Sequence, residues 1–312
     1  KKAQGYRYAA RYFKYYHLGV AKASTCEINV EFSSACNLRC SFCALDHTAP
    51  KTYMTVEVLQ RLLNQLISDQ RFSGVKRINL HNGGETLMHP KRLELFEVIA
   101  EFKQRCIQSG MRFPEVILLT NGMLLRRELA NSILDLNVLD QVGFSLDGGT
   151  PESFETLRVN AKWPKFKKNV EDFIELVRDK KLPLKTFGIT IIPQPNELSN
   201  RWMHPEFVEV TNLLDQMEYR RLHDWGGQVD IGEKANAIEK VGCDMLMDQL
   251  VVLPDGGVTV CCNDLNGDGV IGNILSKDLY DIYMDSKRIE MLRKLMVGKK
   301  SEVDLCKDCT GF

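Results

Sequence analysis

Short apolar segments alternate with helical ones from residue 26 onward, and that alternation constrains the fold more than any other feature of the chain. CEINVEF (26–32), KRINLH (76–81), EVILLT (115–120), QVGFSLD (141–147) and LKTFGITII (184–192) have the length and side chains of buried strands. Between them, 55–69, 90–109, 125–136 and the stretch reaching about 180 read as helices, with 204–218 as a further one. In the first, Leu59, Leu62, Leu63 and Leu66 repeat on one face. Apolar strands separated by helices are the pattern of a parallel sheet. Six βα units close most of a barrel. The expected fold class is therefore α/β, a partial (β/α)6 TIM-type barrel with its catalytic groups at the C-terminal strand ends.

The cysteines constrain the chemistry. Ten are present, in groups: Cys36, Cys40 and Cys43; then Cys243, Cys261, Cys306 and Cys309. Cys262 adjoins the second group, and Cys26 and Cys106 stand alone. A secreted disulfide scaffold is shorter and more evenly cross-linked. C-x₃-C-x₂-C and C-x₂-C spacings fit metal ligation in a reducing cytosol. The 41 basic and 41 acidic residues cancel, which argues against a dedicated nucleic-acid or membrane-surface protein. No run approaches the roughly 18 apolar residues of a membrane span. The first segment, KKAQGYRYAARYFKYYHLG, is basic and aromatic without the apolar centre of a signal peptide. It reads as an amphipathic helix packed on the main domain. A cytoplasmic location, with no membrane and no nucleic acid as partner, is expected. After about residue 236, QLVVLPDGGVTVCC reads as a β-hairpin turning at Asp255-Gly256-Gly257, with helices near 276–297. The division expected is a helical extension (1–23), a barrel (24–235) and a small hairpin-plus-helix appendage (236–312).

Three thiolates within eight residues hold three corners of a cubic [4Fe–4S] cluster and leave one iron open to a chelating small molecule. The competing reading is structural zinc, which wants four closed ligands, with His47 as the fourth. C-N-L-R-C-S-F-C (36–43) resembles the C-x₃-C-x-φ-C signature of the radical S-adenosylmethionine (SAM) superfamily, with Phe42 as the aromatic residue. The resemblance implies a SAM molecule chelated by the open iron. It further implies reductive cleavage to a 5′-deoxyadenosyl radical that abstracts a substrate hydrogen. H-N-G-G-E-T-L-M-H-P (81–90) is similar to the family's GGEP motif, with Thr86 in place of proline. Gly83 and Gly84 let backbone approach a ligand closely, and Glu85 is the expected acceptor for the SAM ammonium. T-N-G (120–122), with Asn121, and S-L-D-G (145–148) resemble later strand ends of the family. Ser145 is a candidate for the SAM ribose or carboxylate, and Arg158 for the carboxylate through its guanidinium fork. Each also reads as a helix cap or a surface ion pair.

Four cysteines close a cluster completely, which suits electron movement rather than substrate binding. G-C-D-M-L-M, the hairpin, G-N-I-L and the terminal L-C-K-D-C resemble the auxiliary-cluster domain of the SPASM/Twitch subfamily. The resemblance implies a second [4Fe–4S] cluster on Cys243, Cys261, Cys306 and Cys309, in the one-cluster Twitch form. The competing reading is a Cys₄ zinc ribbon. Alternation along the strand turns one of Cys261 and Cys262 toward the cluster, and the family pattern fits Cys261.

The first expectation for the reaction is a two-electron oxidation of a small polar substrate, such as a sugar or aminocyclitol alcohol, with the auxiliary cluster accepting an electron. A flavodoxin- or ferredoxin-type protein would be the reductant. The alternative is modification of a peptide or protein side chain. Peptide-modifying relatives often carry a precursor-binding domain, and only 35 residues precede Cys36. A radical epimerase would need a thiol to return hydrogen, and Cys262 is the candidate. A non-catalytic metal-binding module would need neither GGE nor Ser145 and Arg158. Gln194–Glu197, and the run His223, Asp224 and Trp225, are expected near a substrate; His81 and His89 flank the GGE loop, His89 as a helix starter.

Overall fold

The structure, a computed structural model, describes residues 2–18, 20–192, 203–222, 224–230 and 241–310. The candidate stretch Gln194–Glu197 and His223 lie outside the described residues. Helix α1 (Lys2–Tyr16) precedes strand β1 (Glu27–Val30), and β2 (Arg39–Cys40) lies within the first cysteine loop. Then come α2 (Val56–Ser68), β3 (Arg77–Leu80), α3 (Arg92–Gln108), β4 (Glu115–Thr120), α4 (Arg127–Asp135) and β5 (Gln141–Ser145). They are followed by α5 (Pro151–Leu157), β6 (Arg158–Val159), α6 (Trp163–Asp179), β7 (Lys185–Ile192), α7 (Pro205–Leu213) and β8 (Gln216–Arg221). The C-terminal part holds α8 (Asp244–Asp248), β9 (Gln249–Val252), β10 (Gly257–Thr259), β11 (Val270–Asn273), α9 (Leu279–Tyr283) and α10 (Ser286–Met296).

Among the described residues, β1, β3, β4, β5, β7 and β8 pair in that order, all parallel. This is the expected partial barrel. Its helices form for the reasons their sequences show. Thr55 caps α2 by accepting from the Val58 N–H, and Leu59, Leu62, Leu63 and Leu66 are all buried. The long helical stretch to about 180 is two helices. A Thr150–Ser153 capping box and Pro151 start α5, and the chain breaks at β6, followed by Asn160 at φ +76°.

The helix expected over 204–218 ends at Leu213, and QMEYRR forms the sixth parallel strand. Asp215 makes the switch: its Oδ2 accepts from the Thr186 N–H at 2.7 Å and Thr186 Oγ1 at 2.9 Å, pinning the chain beside β7. β8 is then at the edge of the sheet.

The hairpin expected as an appendage is joined to the barrel. β9 pairs in parallel with β1, and β10 and β11 continue the same sheet antiparallel, with Gly256 at φ +84° in the turn. Helix α1 packs on this C-terminal part. Tyr8 and Tyr12 are buried, Arg11 pairs with Asp244 and Asp248, and Tyr16 stacks on Tyr283.

Side-chain direction fixes the two faces of the sheet. Phe144 lies 5.6 Å from the Phe173 ring of α6, so even positions of β5 face the helices. Gly143 and Ser145 then face inward; a Cβ on Gly143 would stand 2.4 Å from the Phe187 ring and 2.9 Å from Leu119. Register carries the inner face across the sheet to Asn29, Asn79, Ile117, Ile189, Glu218 and Arg220.

Candidate functional site

The loop after β1 carries the first three cysteines and is held from several sides. Arg39 Nη1 donates to the carbonyls of Cys36 and Leu38, both at 2.9 Å. The β2–β6 ladder sets Cys40 opposite Arg158, and the Ser41 N–H donates to the Leu157 carbonyl at 2.9 Å. Two donors reach the sulfurs: Asn121 Nδ2 stands 3.9 Å from Cys36 Sγ, and Arg158 Nη1 stands 3.8 Å from Cys40 Sγ. Burial pushes the Cys36 thiol up to about 12, and the Glu85 carboxylate and the Cys40 and Cys43 sulfurs add to it. Cys40 and Cys43 are raised as well, chiefly by burial. Buried thiols that repel one another as thiolates keep their protons until a cation takes the charge. Three such thiols on one loop, with N–H donors reaching the sulfurs, fit an iron–sulfur centre.

The GGE loop lies against this one at backbone contact. A Cβ on Gly84 would fall 1.8 Å from the Ser33 carbonyl oxygen, so only glycine is compatible there. The Glu85 N–H donates to the Ala35 carbonyl at 2.9 Å, just before Cys36. The Glu85 carboxylate is held among protein donors. It is buried and accepts from the Leu87 N–H, Thr120 Oγ1 and the Asn121 N–H at 3.1, 2.8 and 2.8 Å. Thr86 is likewise turned inward, its hydroxyl donating to the Leu80 carbonyl at 2.9 Å. Motif spacing shows the residue type at these positions, not which way it points. Arg158 is also occupied, through Nε and Nη2 on Asp147 Oδ2 at 2.6 and 2.5 Å. It also lies 5.9 Å from the Phe42 ring centre, within the cysteine loop. Asn121 bridges the GGE loop, Asn37 and Cys36. Ser145 is half-buried at the C-terminal end of β5. His89 is structural, with Nε2 on the Met54 carbonyl and Nδ1 accepting from the Lys91 N–H.

Sequence reasoning missed Glu31. It follows β1, is 2% exposed, and supports the GGE loop from beneath through the Gly84 N–H and Asn82 Nδ2, each at 3.1 Å. A glutamate next to Phe32 offers no motif by which to find it.

Cys243, Cys261, Cys306 and Cys309 converge on one cavity of about 230 Å³, which Trp225, Asn263, Leu305 and Lys300 also line. Cys262 is half-buried beside Cys261 and is not among the lining residues. Burial pushes Cys243 up to about 11, with Cys261 and Cys309 contributing; Cys306 is raised by burial and by the same neighbours. The Asn263 N–H lies 3.5 Å from Cys261 Sγ. An enclosed pocket with four thiols and little other polarity fits a closed cluster.

The inner barrel face carries polar side chains among apolar ones such as Ile117 and Ile189. Glu218 and Arg220 of β8 pair at 2.8 Å. Burial and the Arg220 charge push His81, just past β3, down to about 4, so its ring is neutral at pH 7. Register sets Ser145, the last residue of β5, level with Ile189 and Glu218, with Arg220 two residues further along β8. Asp224 and Trp225, expected near a substrate, lie between the two cysteine sets.

A family model for the Radical SAM superfamily matches residues 30–199, more than half of the chain. A second, for the SPASM iron-sulfur cluster-binding domain, matches residues 243–310. The chain belongs to the radical SAM superfamily. It is an enzyme that uses a [4Fe–4S] cluster and SAM and carries a further iron–sulfur cluster-binding domain. A GTP 3′,8-cyclase of Rhizobium meliloti (strain 1021) is 28% identical over 199 residues, 61% of this chain and 51% of that one. The subtilosin biosynthesis protein AlbA of Bacillus subtilis (strain 168) is 29% identical over 129 residues, 41% of this chain and 25% of its own length. The chain thus spans about half of the first relative and less of the second. Among solved structures, BtrN in complex with AdoMet and 2-DOIA superposes with TM-score 0.60 at 21% identity, covering 91% of this chain and 92% of that one. Streptococcus suis SuiB bound to precursor peptide SuiA gives TM-score 0.68 at 15% identity, covering 98% of this chain and 73% of that one. These likenesses show the shared fold. Among the described residues, no helix is long and apolar enough to cross a membrane.

Proposed function

We propose that this enzyme oxidises a small polar substrate by two electrons, removing a carbon-bound hydrogen at the mouth of the barrel. The observation that carries this reading is the set of polar side chains on or next to the inner barrel face, Ser145, Glu218, Arg220 and His81, the last feeling the Arg220 charge and directly preceding the GGE loop. When bound, the cluster on Cys36, Cys40 and Cys43 with its SAM supplies the hydrogen-abstracting radical, and the cluster on Cys243, Cys261, Cys306 and Cys309 supplies an electron acceptor. The chain's own residues do the rest. Arg220 and Glu218 offer a charged pair for substrate hydroxyl or amino groups. Neutral His81 accepts a hydrogen bond or the proton that an alcohol gives up on oxidation. Gly83 and Gly84 bring main chain against the cofactor. BtrN, a neighbour in fold, has been solved with a small molecule, 2-DOIA, in its complex. A flavodoxin- or ferredoxin-type reductant fits as the electron donor.

The test is turnover of the iron-loaded enzyme with dithionite and SAM against aminocyclitols, sugars and short peptides, all deuterated at carbon. The expected result is deuterium in 5′-deoxyadenosine and a small-molecule product lighter by two hydrogens. A peptide as the productive substrate would replace this reading with side-chain modification. An isomer in which one deuterium has been replaced by solvent hydrogen, with no net oxidation, would replace it with epimerisation, for which Cys262 is the thiol to test.

A further inference from the structure

Residues 224–228 and Asn266 form a hydrogen-bonded strap between the two cysteine sets, and no part of the proposed reaction requires it. Trp225 Nε1 donates to the Phe42 carbonyl at 2.6 Å, in the residue before Cys43. The same side chain lies at the wall of the cavity that Cys243, Cys261, Cys306 and Cys309 share. Asp224, 4% exposed, accepts from the Thr310 N–H at 2.8 Å, in the residue after Cys309. Gln228 Nε2 donates to the Asn263 carbonyl at 3.3 Å, and its Oε1 accepts from Asn266 Nδ2 at 3.2 Å. Asn266 completes the strap on the other side: Nδ2 donates to the Ala44 carbonyl at 3.1 Å, and Oδ1 accepts from the Asp46 N–H at 2.8 Å. So residues flanking Cys43 and Cys309, and the residue after Cys262, are all held by the turn at 224–228 together with Asn266.

The turn is built tightly. Trp225 adopts φ +50°, the left-handed region that a bulky residue enters only when its surroundings hold it there. Gly227, at φ +91°, lies so close that a Cβ would stand 2.4 Å from the Asp308 Cβ, between Cys306 and Cys309. The segment that carries Asn266 touches the GGE motif: a Cβ on Gly83 would stand 2.9 Å from the Leu265 carbonyl oxygen.

We propose that Trp225 is a positioning residue that couples the two iron–sulfur sites, so that filling the second changes SAM binding and reduction potential at the first. The inference rests on the assignment of a cluster to each cysteine set. Filling the second cavity fixes the wall that Trp225 forms, and the indole N–H passes that restraint to the Phe42 carbonyl. Coupling of this kind is a difference between the first site's properties with the second filled and empty.

The experiment is a double-mutant cycle on the reconstituted protein. The second cluster is removed by Cys306→Ala/Cys309→Ala, in the wild type and in Trp225→Phe, which keeps an aromatic ring and loses the donor. SAM affinity and the midpoint potential of the first cluster are read by EPR in all four proteins. In the wild-type background, removing the second cluster is expected to weaken SAM binding about fivefold or more and to shift the potential. In the Trp225→Phe background both effects should vanish. Gln228→Ala, which severs the strap at an exposed side chain and leaves Trp225 in place, should reduce them and serves if Trp225→Phe folds poorly. Equal effects with and without Trp225, or no effect in the wild-type background, overturn the proposal. Iron and sulfide analysis separates the two readings: failure of the cysteine sets to load defeats the cluster assignment, whereas full loading without coupling defeats only the strap.

Discussion

Single side chains in this protein support the cofactor loops more than they face them. Glu31 is the plainest case. Burial pushes its carboxyl up to about 7, against the lowering effect of the Asn82, Gly83 and Gly84 donors. The folded chain therefore holds this proton more tightly than the unfolded chain, whose value is near 4.5. The sign follows: stability from this group is full below about pH 4.5, falls as pH rises, and levels off above about pH 7, a loss of roughly 3 kcal/mol. Denaturant melts of the cluster-free protein at about pH 5 and about pH 8 should show that fall, and Glu31→Gln should flatten it. Equal slopes in both proteins would mean that Glu31 does not titrate in this window. Asp147 supports its loop in a different way, by neutralising buried Arg158 and accepting from the Ile191 N–H at 2.6 Å. Asp147→Asn leaves a buried guanidinium without its counter-charge. It should cost about 3–5 kcal/mol in a urea melt and lower iron loading at Cys36, Cys40 and Cys43.

At the scale of elements, backbone contact between loops sets what the site tolerates. Gly84→Ala places a methyl group on main-chain atoms of Ser33 and Ala35, which have no rotamer by which to retreat. The GGE loop has to lift, and SAM cleavage should fall about a hundredfold, as misplacement by an ångström commonly does. Gly110→Ala is the control: its Cβ meets nothing within 4 Å, and only its φ of +65° resists, at about 1 kcal/mol. Similar activity losses in the two variants would refute the contact argument. The same scale shows what the sequence made legible. Strand β4 spans 115–120 and α2 buries its four leucines because apolar periodicity reports burial directly. The cysteine sets are legible because their short spacings restrict geometry. Strand β8 is hidden because its inward positions are Gln216, Glu218 and Arg220, which line a polar barrel mouth and mimic the solvent face of a helix. The strap is hidden for another reason: Trp225 and Phe42 lie 183 residues apart, and no local pattern records a single indole-to-carbonyl bond.

For the molecule as a whole, the sheet matters more than the boundary read near residue 236. Strand β9 meets β1 residue for residue from Glu27↔Gln249 to Val30↔Val252, so the strand that opens the barrel is also the partner of the cysteine-bearing hairpin. Helix α1 then clasps the C-terminal part: Arg288, fully buried, donates to Tyr16, Tyr283, Leu246 and Met247. A unit that shares one sheet and one core should unfold as one. Tryptophan fluorescence and far-UV circular dichroism melts of the cluster-free chain should therefore coincide. Removing residues 1–18 should strip cover from Tyr283 and Leu292 and depress iron loading at Cys243, Cys261, Cys306 and Cys309 before it affects the first site. Two separated transitions, with the hairpin melting ahead of the barrel, would show that β1–β9 pairing does not unite the halves. The strap at Trp225 would then have to join two bodies that move independently, and coupling between the clusters would be weakest near the lower transition.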